Sequence, residues 1–180
     1  AEIEADRDRP QEAADVWDAI AEHGVEDPAV FERLGFALLD GDEPTRAIAA
    51  FEEGIELAPM DGRLLGGRAA AALALDLFDD ALTDATAALR HAPDDPDVWE
   101  TMVHVRMARS ETDLALEAID SLLALAPEHV EALRLRGDAL WDAGDVARAL
   151  EAYTAALDRE PDDRTGHADL AGGEGIGKVR

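Results

Sequence analysis

Apolar residues along this chain recur on two scales. Within segments of about a dozen residues they return every three or four positions, and the whole pattern then returns every 34. Pro59, Pro93, Pro127 and Pro161 stand 34 apart, as do Ala47, Ala81, Ala115 and Ala149. Two aliphatic columns keep the same step: Ile48, Leu82, Leu116 and Leu150, then Ile55, Leu89, Leu123 and Leu157. Three-and-four spacing places apolar side chains on one face of a helix. Repetition at 34 predicts helix pairs that bury this face only by stacking on their neighbours. The expected fold is all-α, a right-handed α-solenoid of antiparallel helix pairs, with nine helices from Pro10 to Arg159 and room for a short tenth.

In chain order, residues 1–8 are charged and lack an apolar stripe, so they are expected to be loose. From Pro10, Ala13, Ala14, Trp17, Ile20 and Ala21 share a helical face that Gly24 closes. This reads as the second helix of a unit whose first helix is missing, so 1–27 is a partial repeat. Four full units are expected at 28–61, 62–95, 96–129 and 130–163. Asp27-Pro28 and Asp95-Pro96 combine an amide-accepting cap with a proline that loses nothing at the first helical position. Turns fall at Gly41-Asp42-Glu43, Asp76-Leu77, Ser110-Glu111 and Gly144-Asp145. The prolines of the 34-residue column bias the residue before them away from the helix and bend the chain into the next unit. Within 164–180 a short capping helix is expected, with His167, Leu170 and Ala171 in its apolar places, ahead of a glycine-rich tail.

These units resemble tetratricopeptide repeats (TPR) over residues 28–163, and more weakly over Pro10 to His23. Unit one carries Phe31, Leu34, Gly35, Leu38, Ala47, Phe51, Gly54 and Pro59 at the family's places. Unit four carries Leu133, Gly137, Leu140, Ala149, Tyr153, Ala156 and Pro161, with Arg136 where leucine is usual. Unit two keeps Leu65, Ala69, Ala81, Ala88 and Pro93 but has Ala72 and Ala85 for large residues. Unit three keeps Trp99, Met102, Ala115, Ile119 and Pro127, with Val103 and Leu122 at small-residue places and Arg106 at an apolar one. The small residue of each first helix is expected to face alanine on the second and let the backbones approach. Val103 is expected to hold its pair slightly apart.

Composition narrows the class. Hydrophobic residues make up 47% of the chain but aromatics only 4%, which suits closely packed, alanine-rich helices. Without cysteine, disulfides, thiolate metal sites and cysteine nucleophiles are excluded. The formal net charge of −26 opposes nucleic acid, whose binding needs phosphate neutralisation, and anionic membranes. Lys178 is the only lysine, and this acid-rich balance is what a halophile's protein would show. The start lacks both the basic and the apolar region of a signal peptide, so a cytoplasmic location is expected. A chain that begins without methionine reads as a fragment or a processed form.

Candidate chemistry is sparse. Gly172, Gly177 and Lys178 mimic a phosphate loop, but Val179 replaces its hydroxyl residue and the strand–loop–helix frame is missing. His23, His91, His104, His129 and His167 fall in different elements and offer no clustered metal ligands. Acidic runs such as Asp79-Asp80 lack the glycine and terminal glutamate of a calcium loop. Ser110, Thr112 and Ser121 stand beside no evident activating base. No enzyme activity, metal or cofactor is expected.

In TPR proteins the first helices line a concave groove. The resemblance implies a partner-binding face at Arg33, Phe36 and Leu39, then Arg63, Gly66, Ala70 and Leu73, then Glu100, His104 and Met107, and finally Arg134, Leu135, Asp138, Trp141 and Asp142. Apolar anchoring is expected at Phe36, Leu73, Met107 and Trp141, with Arg33, Arg63 and Arg134 engaging ligand acids. The four first helices hold seven arginines against seven acidic residues, whereas the remainder of the units holds four against more than twenty. The negative charge is therefore expected on the outer side. The lysine and asparagine clamp with which some TPR proteins hold a C-terminal carboxylate is replaced by Glu32, Phe36, Arg63 and Gly67. The expected function is a non-catalytic scaffold for a protein or peptide segment, as a monomer or weak homo-oligomer. The alternative is a structural element that assembles with further repeats or with copies of itself.

Overall fold

The computed structural model describes residues 10–24 and 26–159. The expectations for residues 1–8, for the capping helix and tail, and for Gly172, Gly177 and Lys178 lie outside the described residues. Nine helices and no strand occur among the described residues: α1 (Pro10–Glu22), α2 (Pro28–Asp40), α3 (Pro44–Leu57), α4 (Gly62–Ala74), α5 (Phe78–His91), α6 (Pro96–Ala108), α7 (Thr112–Leu125), α8 (Val130–Asp142) and α9 (Val146–Leu157). They stack as an all-α solenoid of antiparallel pairs, α2 with α3, α4 with α5, α6 with α7 and α8 with α9, with α1 against α2.

The boundaries have local causes. A helix leaves its first amides without partners, and a side-chain acceptor just before it supplies one. Asp27, Asp61 and Asp95 cap α2, α4 and α6 in this way, accepting from Ala29 N at 3.0 Å, Arg63 N at 2.9 Å and Asp97 N at 3.0 Å. Before α8 the same place is filled by His129, whose Nδ1 accepts from Ala132 N at 3.1 Å. Each pair turns through one left-handed residue: Asp42 (φ 60°), Asp76 (φ 59°), Ser110 (φ 58°) and Gly144 (φ 79°). These positions are again 34 apart. Aspartate and glycine tolerate this conformation better than serine does.

Packing within the pairs differs from the expectation in one respect. In units one and four the small residue of the first helix faces the aromatic ring of the second rather than an alanine. A Cβ on Gly35 would stand 2.5 Å from the Phe51 ring, and one on Gly67 or Gly137 would overlap the rings of Phe51 and Tyr153. Phe51 is fully buried between two glycine-bearing helices, and Phe36 meets it edge-on, with ring centroids 5.3 Å apart at 77°. A ring needs more room than a methyl group, and glycine provides it. In units two and three the corresponding pairs are Ala69 with Ala85 and Val103 with Ile119, all buried. Val103 and Leu122 are fully buried, and α6 with α7 makes the least extensive contact of the four pairs.

The arginines at apolar places are satisfied by carboxylates. Arg68 donates twice to Asp84 on α5, both at 2.7 Å, and Arg136 pairs with Asp120 on α7 at 3.2 Å. Arg106 reaches Glu111, which Arg109 also holds at 2.9 Å. These two guanidinium groups hold the Glu111 carboxyl below the usual carboxylate range, Arg106 first. Burying a guanidinium stem is tolerable when its head keeps a charged partner.

Successive first helices lie side by side from α2 to α4 and from α4 to α6, whereas α6 and α8 do not keep comparable contact. Among the described helices no two second helices touch to that extent. On α9, Leu150 is 58% and Leu157 66% exposed. Their column partners Leu82, Leu89, Leu116 and Leu123 are half-buried against core clusters.

Candidate functional site

The first-helix face opens into a groove over α4. Its cavity of about 510 Å³ is lined by Phe36 of α2, by Arg63, Gly66, Gly67, Ala70 and Leu73 of α4, and by Asp97, Val98, Glu100, Thr101 and His104 of α6. This size is ordinary for a site that takes a side chain or a small ligand. The floor is apolar because α4 presents only glycine, alanine and leucine there. Gly66 leaves Val98 as its nearest neighbour, at 3.4 Å from where a Cβ would be.

Arg63 closes one end. Its Nε donates to Glu32 Oε1 at 2.8 Å, and its other nitrogens stand 3.8 Å from Asp95 and 3.7 Å from Asp97. Burial lowers the Arg63 pKa, but Glu32 and the two aspartates outweigh that effect and the net shift is upward. At the other wall, Glu100 stands between two imidazoles, 3.7 Å from His104 Nε2 and 3.3 Å from His129 Nε2. Its carboxyl lies below the usual range, through His104 first and with His129 adding to the effect; at 3.7 Å the His104 contact is electrostatic rather than a hydrogen bond. Because His129 Nδ1 accepts the Ala132 amide, the proton of the neutral ring sits on Nε2 and faces Glu100.

Of the residues expected on this face, the groove brings together Phe36, Arg63, Gly66, Ala70, Leu73, Glu100 and His104. The others lie elsewhere. The Arg33 guanidinium is stacked over the Trp17 ring, 5.2 Å from its centroid, and Leu39 packs on the cluster around Phe51. Met107 and Asp142 line a separate cleft of about 360 Å³ with Ser110, Thr112 and Ala139. Arg134 is held by Glu131 at 2.5 Å, and Asp138 accepts the Tyr153 hydroxyl at 2.6 Å. Trp141 is 56% exposed. Leu135, expected on the groove surface, is 5% exposed and belongs to the core around Val103 and Val105, because its helical position points between the pairs.

Sequence reasoning passed over Gly67, Asp97, Val98 and Thr101. Three of these had a signal: Gly67 and Thr101 occupy the repeat position of Arg33 and Leu135, and Asp97 that of Arg63. The hydroxyls do not read as nucleophiles. Thr101 and Ser121 donate to the carbonyls of Asp97 and Glu117, one turn back. Among the described residues no cluster of three metal-binding side chains occurs, and no helix is long and apolar enough to cross a membrane.

The repeat register has a counterpart in known proteins. A family model for the tetratricopeptide repeat matches residues 1–61, 32–96 and 101–164. The chain belongs to the tetratricopeptide repeat family. Proteins of this fold are generally non-catalytic interaction scaffolds. Among solved structures, the TPR chain is similar to MamA 41-end from Desulfovibrio magneticus RS-1, with 22% identity, a TM-score of 0.71 and 88% of each chain covered. It is also similar to YrrB, described as a TPR protein with an unusual peptide-binding site, with 22% identity, a TM-score of 0.65, and 87% of this chain and 79% of that one covered. Both likenesses concern the fold. No curated protein sequence matches.

Proposed function

We propose that this TPR chain is a scaffold that receives a segment of a partner protein along its first helices, with the α2–α4–α6 groove as the seat of an apolar side chain. The observation that carries this reading is the cavity over α4, where Phe36, Ala70, Leu73 and Val98 stand beside the charged groups of Arg63, Asp97 and Glu100. An apolar floor with a few placed polar groups is what a binding site requires. Ala70 is only half-buried, so Ala70→Trp fills the groove from a helix surface. Partners captured by the wild-type protein are expected to be lost on Ala70→Trp while the melting temperature holds. Retention of every partner by that variant removes the groove from consideration.

Self-assembly is a second reading, favoured by the exposed Val146, Leu150 and Leu157 on α9. Light scattering across a concentration series reads it directly, and a constant monomer mass sinks it. For the setting, we propose a salt-rich cytoplasm, supported by the net charge of −26. Screening at molar KCl shortens electrostatic repulsion to about 3 Å, so the melting temperature should climb steeply from dilute buffer to that salt. A flat response rejects the halophilic origin.

A further inference from the structure

Resting on the groove reading above, we infer that the received segment is basic: it presents a lysine or arginine to Glu100 and Asp97, beside an apolar side chain seated over Phe36, Ala70 and Leu73. Around this groove, among the described residues, one guanidinium, that of Arg63, stands against four carboxylates: Glu32, Asp95, Asp97 and Glu100. Arg63 is already engaged by three of them, so an acidic ligand would have to displace an internal partner. A cation would not. Among the described residues Glu100 meets no guanidinium, only two imidazoles, and its lowered pKa keeps it ionised. Asp97 is largely exposed and stands 3.7 Å from Arg63, which leaves its carboxylate room for a second cation. The remaining helices carry the excess acid, so the field at long range also draws a basic segment in. The apolar floor supplies the second requirement, since charge alone would hold a cation anywhere on this surface.

The test uses the ¹⁵N-labelled chain at 0.15 M KCl with three synthetic ten-residue peptides, one of lysine and leucine, one of glutamate and leucine, and one of lysine and serine. The lysine–leucine peptide is expected to move the amide signals of Gly66, Gly67, Ala70 and Thr101, and the glutamate–leucine peptide to bind at least about tenfold more weakly, as expected when several rim charges turn repulsive. The lysine–serine peptide should leave those amides in place. Glu100→Gln and Asp97→Asn should each weaken the lysine–leucine peptide about fivefold, the scale of one exposed ion pair. Arg63→Gln, which removes the competing cation, should tighten it. Asp97→Asn leaves His129 and the α8 cap untouched, so the result stands if Glu100→Gln loosens α8. Equal binding of the glutamate–leucine peptide on the same amides overturns the basic preference and leaves the groove reading intact. If neither leucine peptide moves them, the groove reading fails and this inference with it. If the lysine–serine peptide moves them as far, the attraction is general surface charge and the inference is wrong.

Discussion

The first-helix face has two halves built on the same repeat positions. On α4 these positions hold Arg63, Gly66, Gly67, Ala70 and Leu73; on α8 they hold Glu131, Arg134, Leu135, Asp138 and Trp141. The small α4 residues let α2 and α6 come up on either side, and what they leave empty is the groove. The α8 residues are long, and they spend their polar groups on one another and on α9: Arg134 on Glu131, Asp138 on Tyr153. There the neighbouring first helices stay apart, and Trp141 stands in solvent. A repeat sets where a side chain points. Its volume decides whether the place becomes a pocket or a plain surface.

Exchanging glycine for alanine probes that contrast most severely. Gly67→Ala pushes a methyl into Phe51, which is fully buried and held from the other side by Gly35, so the ring has nowhere to go. A loss of about 3 kcal/mol is expected, the upper end for overpacking a tight core. Gly137→Ala meets Tyr153, a half-buried ring that can swing outward, and should cost about 1 kcal/mol. Denaturant unfolding of both variants decides the matter, and equal losses would break the distinction between the halves. Aromatic truncation gives the next effect: Phe36→Ala should cost about 2 kcal/mol through its edge-on contact with Phe51, and Trp141→Ala no more than about 0.5 kcal/mol. A large loss at Trp141 would mean that the α8 half carries packing the structure does not contain.

Between the halves, Ser110 turns α6 into α7 at φ 58°. Ser110→Gly should stabilise by about 0.5 kcal/mol, relief of the left-handed conformation being partly offset by the freer unfolded chain. No gain, or a loss, would show the serine unstrained.

The smallest effect is also the most specific. Tyr153 is the only tyrosine, and its pKa is pushed up to about 12, first by its hydrogen bond to the Asp138 carboxylate. The folded value lies above the unfolded one of about 10. The stabilisation from this contact is therefore complete below pH 10 and is lost as pH rises through about 12. Phenolate absorbance should titrate near 12 in the wild type and move toward 10 in Asp138→Asn. An unchanged midpoint would detach the tyrosine from Asp138.

Helix positions, turns and caps were legible because each has a local cause: an apolar stripe, an aspartate before an orphan amide, a left-handed turn at every thirty-fourth residue. Part of the groove was legible through the family resemblance, which implied a shared face for Phe36, Arg63, Ala70 and Leu73. Arg63 was read as open to a ligand. Its partners come from other elements, Glu32 from α2 and Asp95 and Asp97 from the start of α6, and periodicity contains no information about such pairs.

By itself, then, the sequence determined the all-helical solenoid and the pairing of neighbours, because helical period and nearest-neighbour stacking are local. Tertiary structure alone decided which ring fills which glycine notch, that Leu135 belongs to the core, that a groove opens over α4, and which carboxylates stand around it. Those outcomes depend on volumes and charges that meet across helices, where close packing admits one arrangement and the field at a point sums over every nearby group.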